Sequence, residues 1–94
     1  MSKLSVEQVK LYLSKVPGWK LVEERMALSR TYHCRDFAVA VQLVNRVAEL
    51  LEHDGQYVEI HLAGNVVTIT LTTGGRIGLT GKEFALAQAI SKVS

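Results

Sequence analysis

The sequence predicts an α+β domain in the order α-β-β-α-β-β-α, with a four-stranded antiparallel sheet and helices packed on one of its faces. Three observations predict it. Two pairs of segments show period-two alternation, a long and strongly apolar helical stretch separates them, and a capping signature opens a helix near the C-terminal end. Paired strands joined by short turns favour antiparallel pairing, and helices segregated to one face bury the apolar side of such a sheet.

The first helix is expected to begin at Ser5, whose hydroxyl suits an N-cap, with Leu4, Val9, Leu11, Leu13 and Val16 supplying apolar groups at mostly helical spacing. Pro17-Gly18 is expected to end it, because proline removes a donor and glycine admits left-handed φ. A short strand follows at Trp19, Leu21 and Val22, then a turn at Glu24-Arg25 and a second strand from Met26 to Cys34. In that strand Leu28, Arg30, Tyr32 and Cys34 share one face, and Ala27, Ser29, Thr31 and His33 the other.

The strongest local signal is a helix from about Arg35 to Glu52. Phe37, Val41, Val44, Ala48 and Leu51 line one stripe, and Ala40, Leu43, Val47 and Leu50 a second beside it. Two stripes are more than one sheet needs, so one is expected to meet the sheet. The other is left for a second subunit or for the remaining helices.

Residues 57–73 read as a hairpin about Ala63-Gly64-Asn65. Val58, Ile60, Leu62, Val67, Ile69 and Leu71 form its aliphatic face, and Tyr57, Glu59, His61, Thr68, Thr70 and Thr72 its polar one. Thr73-Gly74-Gly75-Arg76-Ile77-Gly78 is a glycine-rich turn. The last helix opens at Thr80 with Glu83 three residues on, and Phe84, Leu86, Ala87 and Ile90 follow.

At 94 residues the chain suits one domain, so 1–94 is read as a unit. So short a chain buries only about 60–65% of its unfolded surface, and the sheet has two open edges, so homo-oligomerisation is expected. The single cysteine, Cys34, cannot close an intramolecular disulfide, which points to a reducing cytoplasm. No apolar run approaches a membrane span. Eleven basic and nine acidic residues are intermixed, without the basic stripe of a nucleic-acid binder.

Several stretches, in their order and spacing, resemble the pterin-4a-carbinolamine dehydratase family. They are Gly18-Trp19, Tyr32-His33-Cys34-Arg35-Asp36-Phe37, Arg46-Val47-Ala48-Glu49, Val67 through Thr73, and Gly78-Leu79-Thr80 with Glu83, Leu86-Ala87 and Ile90. The resemblance covers essentially the whole chain. It implies the fold above and, for the family, dehydration of 4a-hydroxytetrahydropterin to the quinonoid dihydropterin. That chemistry protonates a departing hydroxyl and takes a proton from a ring nitrogen, tasks suited to imidazole.

The family's motif is a His-His-Pro-acid run after the long helix and a further His after the last strand. Here the first place reads Glu52-His53-Asp54-Gly55-Gln56 and the second Thr73-Gly74-Gly75, so only His53 is retained. The resemblance therefore implies His53, Asp54 and His61 as candidate catalytic groups, and Tyr57, Glu59, Thr73 and Gly74 as candidate substrate contacts. His53 also reads as a cation at a helix C-terminus, Asp54-Gly55 as a turn and His61 as a solvated strand residue. His33, His53 and His61 match no zinc spacing, so no metal is expected, and no cofactor.

Two functions follow from the resemblance. One is a scaffold with impaired catalysis that binds or assembles another protein. The family's vertebrate enzyme serves a homeodomain transcription factor in that way, and a dehydratase-like branch associated with α-carboxysomes assists assembly of ribulose-bisphosphate carboxylase/oxygenase (RuBisCO). The other is an active dehydratase in pterin recycling. Dimers or tetramers are implied for either, with a pterin ligand and a protein client as possible partners.

Overall fold

The computed structural model describes residues 4–22, 27–52, 58–72 and 79–94. Its elements are α1 (Val6–Leu13), β1 (Lys20–Val22), β2 (Ala27–His33), α2 (Phe37–Leu50), β3 (Val58–Ala63), β4 (Val66–Thr72) and α3 (Gly81–Val93), in the predicted order. The strands form one antiparallel sheet in the order β1-β2-β4-β3, so the second strand of each hairpin lies inside and the first at an edge.

Ser5 caps α1 as expected. Its hydroxyl accepts the Gln8 N–H at 3.2 Å while the Gln8 side chain accepts the Ser5 N–H at 3.0 Å. The helix ends earlier than its apolar spacing suggests. Ser14 Oγ donates to the Leu11 carbonyl at 2.6 Å, and Lys15 and Val16 bond back three residues to Tyr12 and Leu13. Residues ahead of a proline avoid the α region, so the chain tightens into turns before Pro17 and Gly18 (φ 90°). Leu11, counted with the apolar face, is 57% exposed.

Alternation in the strands holds. Leu28 pairs with Leu71 and Tyr32 with Val67, while Ile60 meets Ile69, and this face turns to the helices. Val67, Ile69, Leu71 and Leu28 are fully buried there. Gly64-Asn65 forms a two-residue turn between Ala63 and Val66, with Gly64 at φ 60°. Asn65 then ties this turn to the start of the long helix. Its carbonyl accepts the Cys34 N–H, and its Nδ2 donates to the Cys34 carbonyl, each at 2.8 Å. Asp36 caps α2 by accepting the Val39 N–H at 2.9 Å.

In α2 it is the second predicted stripe that meets the sheet, since Ala40, Leu43 and Val47 are buried, and Leu51, placed in the first stripe, is buried too just past the helix. Phe37 is 59% exposed and Ala48 is exposed, with Val41 and Val44 half-buried between them. Leu50, assigned to the buried stripe, is 41% exposed on the opposite flank.

Thr80 and Glu83 cap α3 in a buried capping box. Glu83 Oε1 accepts the Thr80 N–H at 2.7 Å and its hydroxyl at 2.9 Å, and Glu83 is 3% exposed. The Leu4 N–H donates to the Leu79 carbonyl at 2.8 Å, which staples the N-terminal segment beside this cap. Phe84, Ala87 and Ile90 complete the core, and Phe84 meets Tyr12 edge-on with centroids 5.3 Å apart. Removing the buried acceptor with Glu83→Ala is expected to cost about 1–3 kcal/mol. A urea midpoint falling at constant slope, with Glu83→Gln losing less, is the readout. A midpoint unchanged in both would exclude this role.

Candidate functional site

β3 divides its residues between two environments. Val58, Ile60 and Leu62 lean half-buried toward the helices, whereas Glu59, His61 and Ala63 stand exposed on the open face. The period of two in the pleat dictates this separation.

On the helix side, the last turns of α2 and the first residues of β3 flank an open cavity of about 340 Å³. Val47, Ala48, Leu51, Glu52, Val58 and Ile60 line it. That lies at the lower end of the range of small-molecule pockets. Its described lining offers apolar contact for a flat ring and one carboxylate, Glu52. Glu52 is the last described residue before this wall resumes at Val58. Val58 pairs with Leu71, and β4 ends one residue later at Thr72. The start of β3 and the end of β4 therefore lie at one end of the sheet. His53, Asp54, Tyr57, Thr73 and Gly74 themselves lie outside the described residues.

On the open face, His61 pairs with Thr68, whose Oγ1 lies 3.2 Å from that of Thr31. Glu59 pairs with Thr70, whose hydroxyl donates to Ser29 Oγ at 3.4 Å. Ile60 faces the cavity, so its neighbours Glu59 and His61 do not. Of the candidate groups, the described pair Glu59 and His61 thus stands on the hydroxyl-lined face of the sheet and not in the cavity. Among the described residues no three His, Cys, Asp or Glu side chains gather as a metal site requires. No described helix is long and apolar enough to cross a membrane.

Sequence reasoning did not single out the cavity. Its walls come from the end of α2 and the start of β3, and half-buried aliphatics at an edge strand are the one local sign of it.

Residues 2–93 match the sequence profile described as pterin 4 alpha carbinolamine dehydratase. The chain belongs to that dehydratase family. A protein of Cyanothece sp., provisionally named a pterin-4-alpha-carbinolamine dehydratase, is 37% identical over 91 residues, spanning 97% of this chain and 92% of the relative. One of Chloroflexus aggregans with the same provisional name is 38% identical over 93 residues, spanning 99% and 98%. The fold agrees as well. A crystal structure described as a transcriptional coactivator/pterin dehydratase from Brucella melitensis superposes with a TM-score of 0.87 at 25% identity, covering 98% of each chain. The dehydratase fold expected from the sequence is therefore the fold of this chain.

Proposed function

We propose that this chain keeps the dehydratase scaffold as a protein-binding or assembly module in which dehydration chemistry is largely lost. The observation that carries this reading is the composition of the two motif stretches. Asp54 stands where the family has its second histidine, Gly55 where it has proline, and Gly74 where it has the later histidine. A positioned acid or base contributes about 10²–10⁴-fold, so losing two imidazoles of three removes most of the acceleration. His53 is left to serve both proton transfers with Asp54 as its candidate helper, since His61 stands on the open face away from the cavity.

A scaffold of this kind needs a surface for its partner, and α2 has one. Phe37 and Ala48 are exposed at the two ends of a flank on which Val41 and Val44 are half-buried. Such a ridge suits self-association into a dimer or tetramer as well as a client. The coactivator description of the Brucella protein supports a second, protein-binding use of this fold in that relative. A RuBisCO assembly role is one client relationship that the resemblance suggests. Within this reading, Ala48→Glu places a charge on the ridge without touching the core. It is expected to shift the chain toward monomer in light scattering at micromolar concentration, and an unchanged mass would exclude the ridge from the interface.

A second reading, an active dehydratase, is favoured by His53 and by the provisional names of the relatives. Turnover of freshly generated 4a-carbinolamine separates the two. The scaffold reading expects a rate within about twofold of the uncatalysed background, and acceleration of about 100-fold would overturn it.

A further inference from the structure

At the sheet edge opposite β3, the end of α1, the turn before β1 and the end of α3 border an open cleft of about 680 Å³. Lys15, Val16, Pro17, Gly18, Arg30, Gln88, Ser91 and Lys92 line it. Three of these are cationic, and none is an aspartate or glutamate. Arg30 departs from its strand's pattern, because it occupies a helix-facing position, opposite Ile69, that is otherwise apolar along β2.

Its guanidinium is held in place. It rests on the Tyr32 ring, Cζ 4.4 Å from the centroid, and Nη1 reaches the Pro17 carbonyl at 3.4 Å and Ser91 Oγ at 3.2 Å. Gly18 makes room for it, since a Cβ there would come within 3.0 Å of Cζ and Nε. Among the described residues, Arg30 has no carboxylate partner. A half-buried cation fixed in this way ordinarily has an anion to answer it.

Ser91 supplies an independent sign. Its oxygen accepts from Trp19 Nε1 at 3.1 Å and from Arg30 Nη1 at 3.2 Å. Two accepted bonds fill both lone pairs of a hydroxyl, so its own hydrogen is left to donate, and Ser91 is a wall of the cleft. A hydroxyl donor, a planar guanidinium and two lysines around one cleft form a donor-only set.

The geometry points to a binding site for the dianionic phosphate of a small phosphomonoester, with Arg30 and Ser91 as its directional donors and Lys15 and Lys92 as its charge. Phosphate is favoured over a lone carboxylate because three positive charges line the cleft and answer a dianion better than a monoanion. The cleft is remote from the cavity beside β3, so the inference does not depend on whether dehydration survives.

Amide NMR titration of the full chain tests it, using inorganic phosphate, glycerol 3-phosphate and acetate at constant ionic strength balanced with chloride. Both phosphates are expected to give saturable shifts confined to residues 15–19, 30 and 88–92, with acetate weaker by about tenfold. Arg30→Gln is expected to weaken phosphate about tenfold or more, as loss of charged hydrogen bonds does. Because Arg30 also packs, the exposed pair Lys15→Gln/Lys92→Gln provides a second variant that leaves the core alone. It is expected to weaken binding by about threefold, since each lysine contributes as a partly screened charge. Shifts spread over all lysines, acetate binding as tightly as phosphate, or affinity unchanged in the double lysine variant would each overturn the assignment.

Discussion

Asp54→His combined with Gly74→His is expected to raise turnover of 4a-carbinolamine by about 100-fold or more over the wild-type chain. On the proposed reading, these two substitutions restore the motif's imidazoles and leave His53 in place. The surroundings favour the gain. Glu52 and Val58, which bracket the first stretch, line the cavity beside β3, and the second stretch follows a strand that pairs with β3 at the same end. The gain should vanish when His53→Ala is added, because groups that share proton transfers are not additive. A double variant no faster than wild type would mean that more than missing imidazoles separates this chain from an active dehydratase.

The second large effect is on stability. Leu71 is fully buried in a central strand, with Leu28 beside it on one side and Val58 on the other. Leu71→Ala is expected to cost about 2–5 kcal/mol, combining lost transfer energy with the cavity left behind. Against a total of about 5–10 kcal/mol for a chain of this size, that is a large fraction. The melting temperature should fall by about 10–20 °C. His61→Ala, on the exposed face of β3, should stay within about 0.5 kcal/mol of wild type. Both need measuring at one protein concentration, since association adds to apparent stability. Equal losses in the two variants would contradict the assignment of faces.

Those faces were legible because a strand's period is two. Once Val58, Ile60 and Leu62 are set against the helices, His61 must stand with the threonines, and it does. The caps at Ser5 and Thr80 were legible because a capping box is written within four residues. In α2, both stripes are apolar, and choosing Ala40-Leu43-Val47 over Phe37-Val41-Val44-Ala48 depends on how the helix is rotated over the sheet. That rotation is set by tertiary packing, by the Asn65 clamp on Cys34 among other contacts. The end of α1 depended on Ser14 bonding back to Leu11, a weak signal beside the more visible Pro17.

Sites were harder to read than elements for the same reason. Arg30 could be placed on the helix-facing side of β2 by alternation alone. Its partner Ser91 lies 61 residues away and is reached only through the fold. The cavity beside β3 likewise joins residues of α2 to residues of the next strand. The motif stretches show the converse case. Their residues, His53, Asp54 and Gly74, are eloquent in sequence through family resemblance and lie outside the described residues.

The most direct test of a scaffold with lost chemistry compares wild type and His53→Ala in turnover of freshly generated 4a-carbinolamine, each against the uncatalysed rate. His53 is the one retained imidazole of the motif, so any surviving dehydratase activity should depend on it. The expected result is two progress curves that superimpose on each other and on the background. A wild-type rate well above background that His53→Ala abolishes would contradict the proposal and make the chain a dehydratase with a rebuilt site.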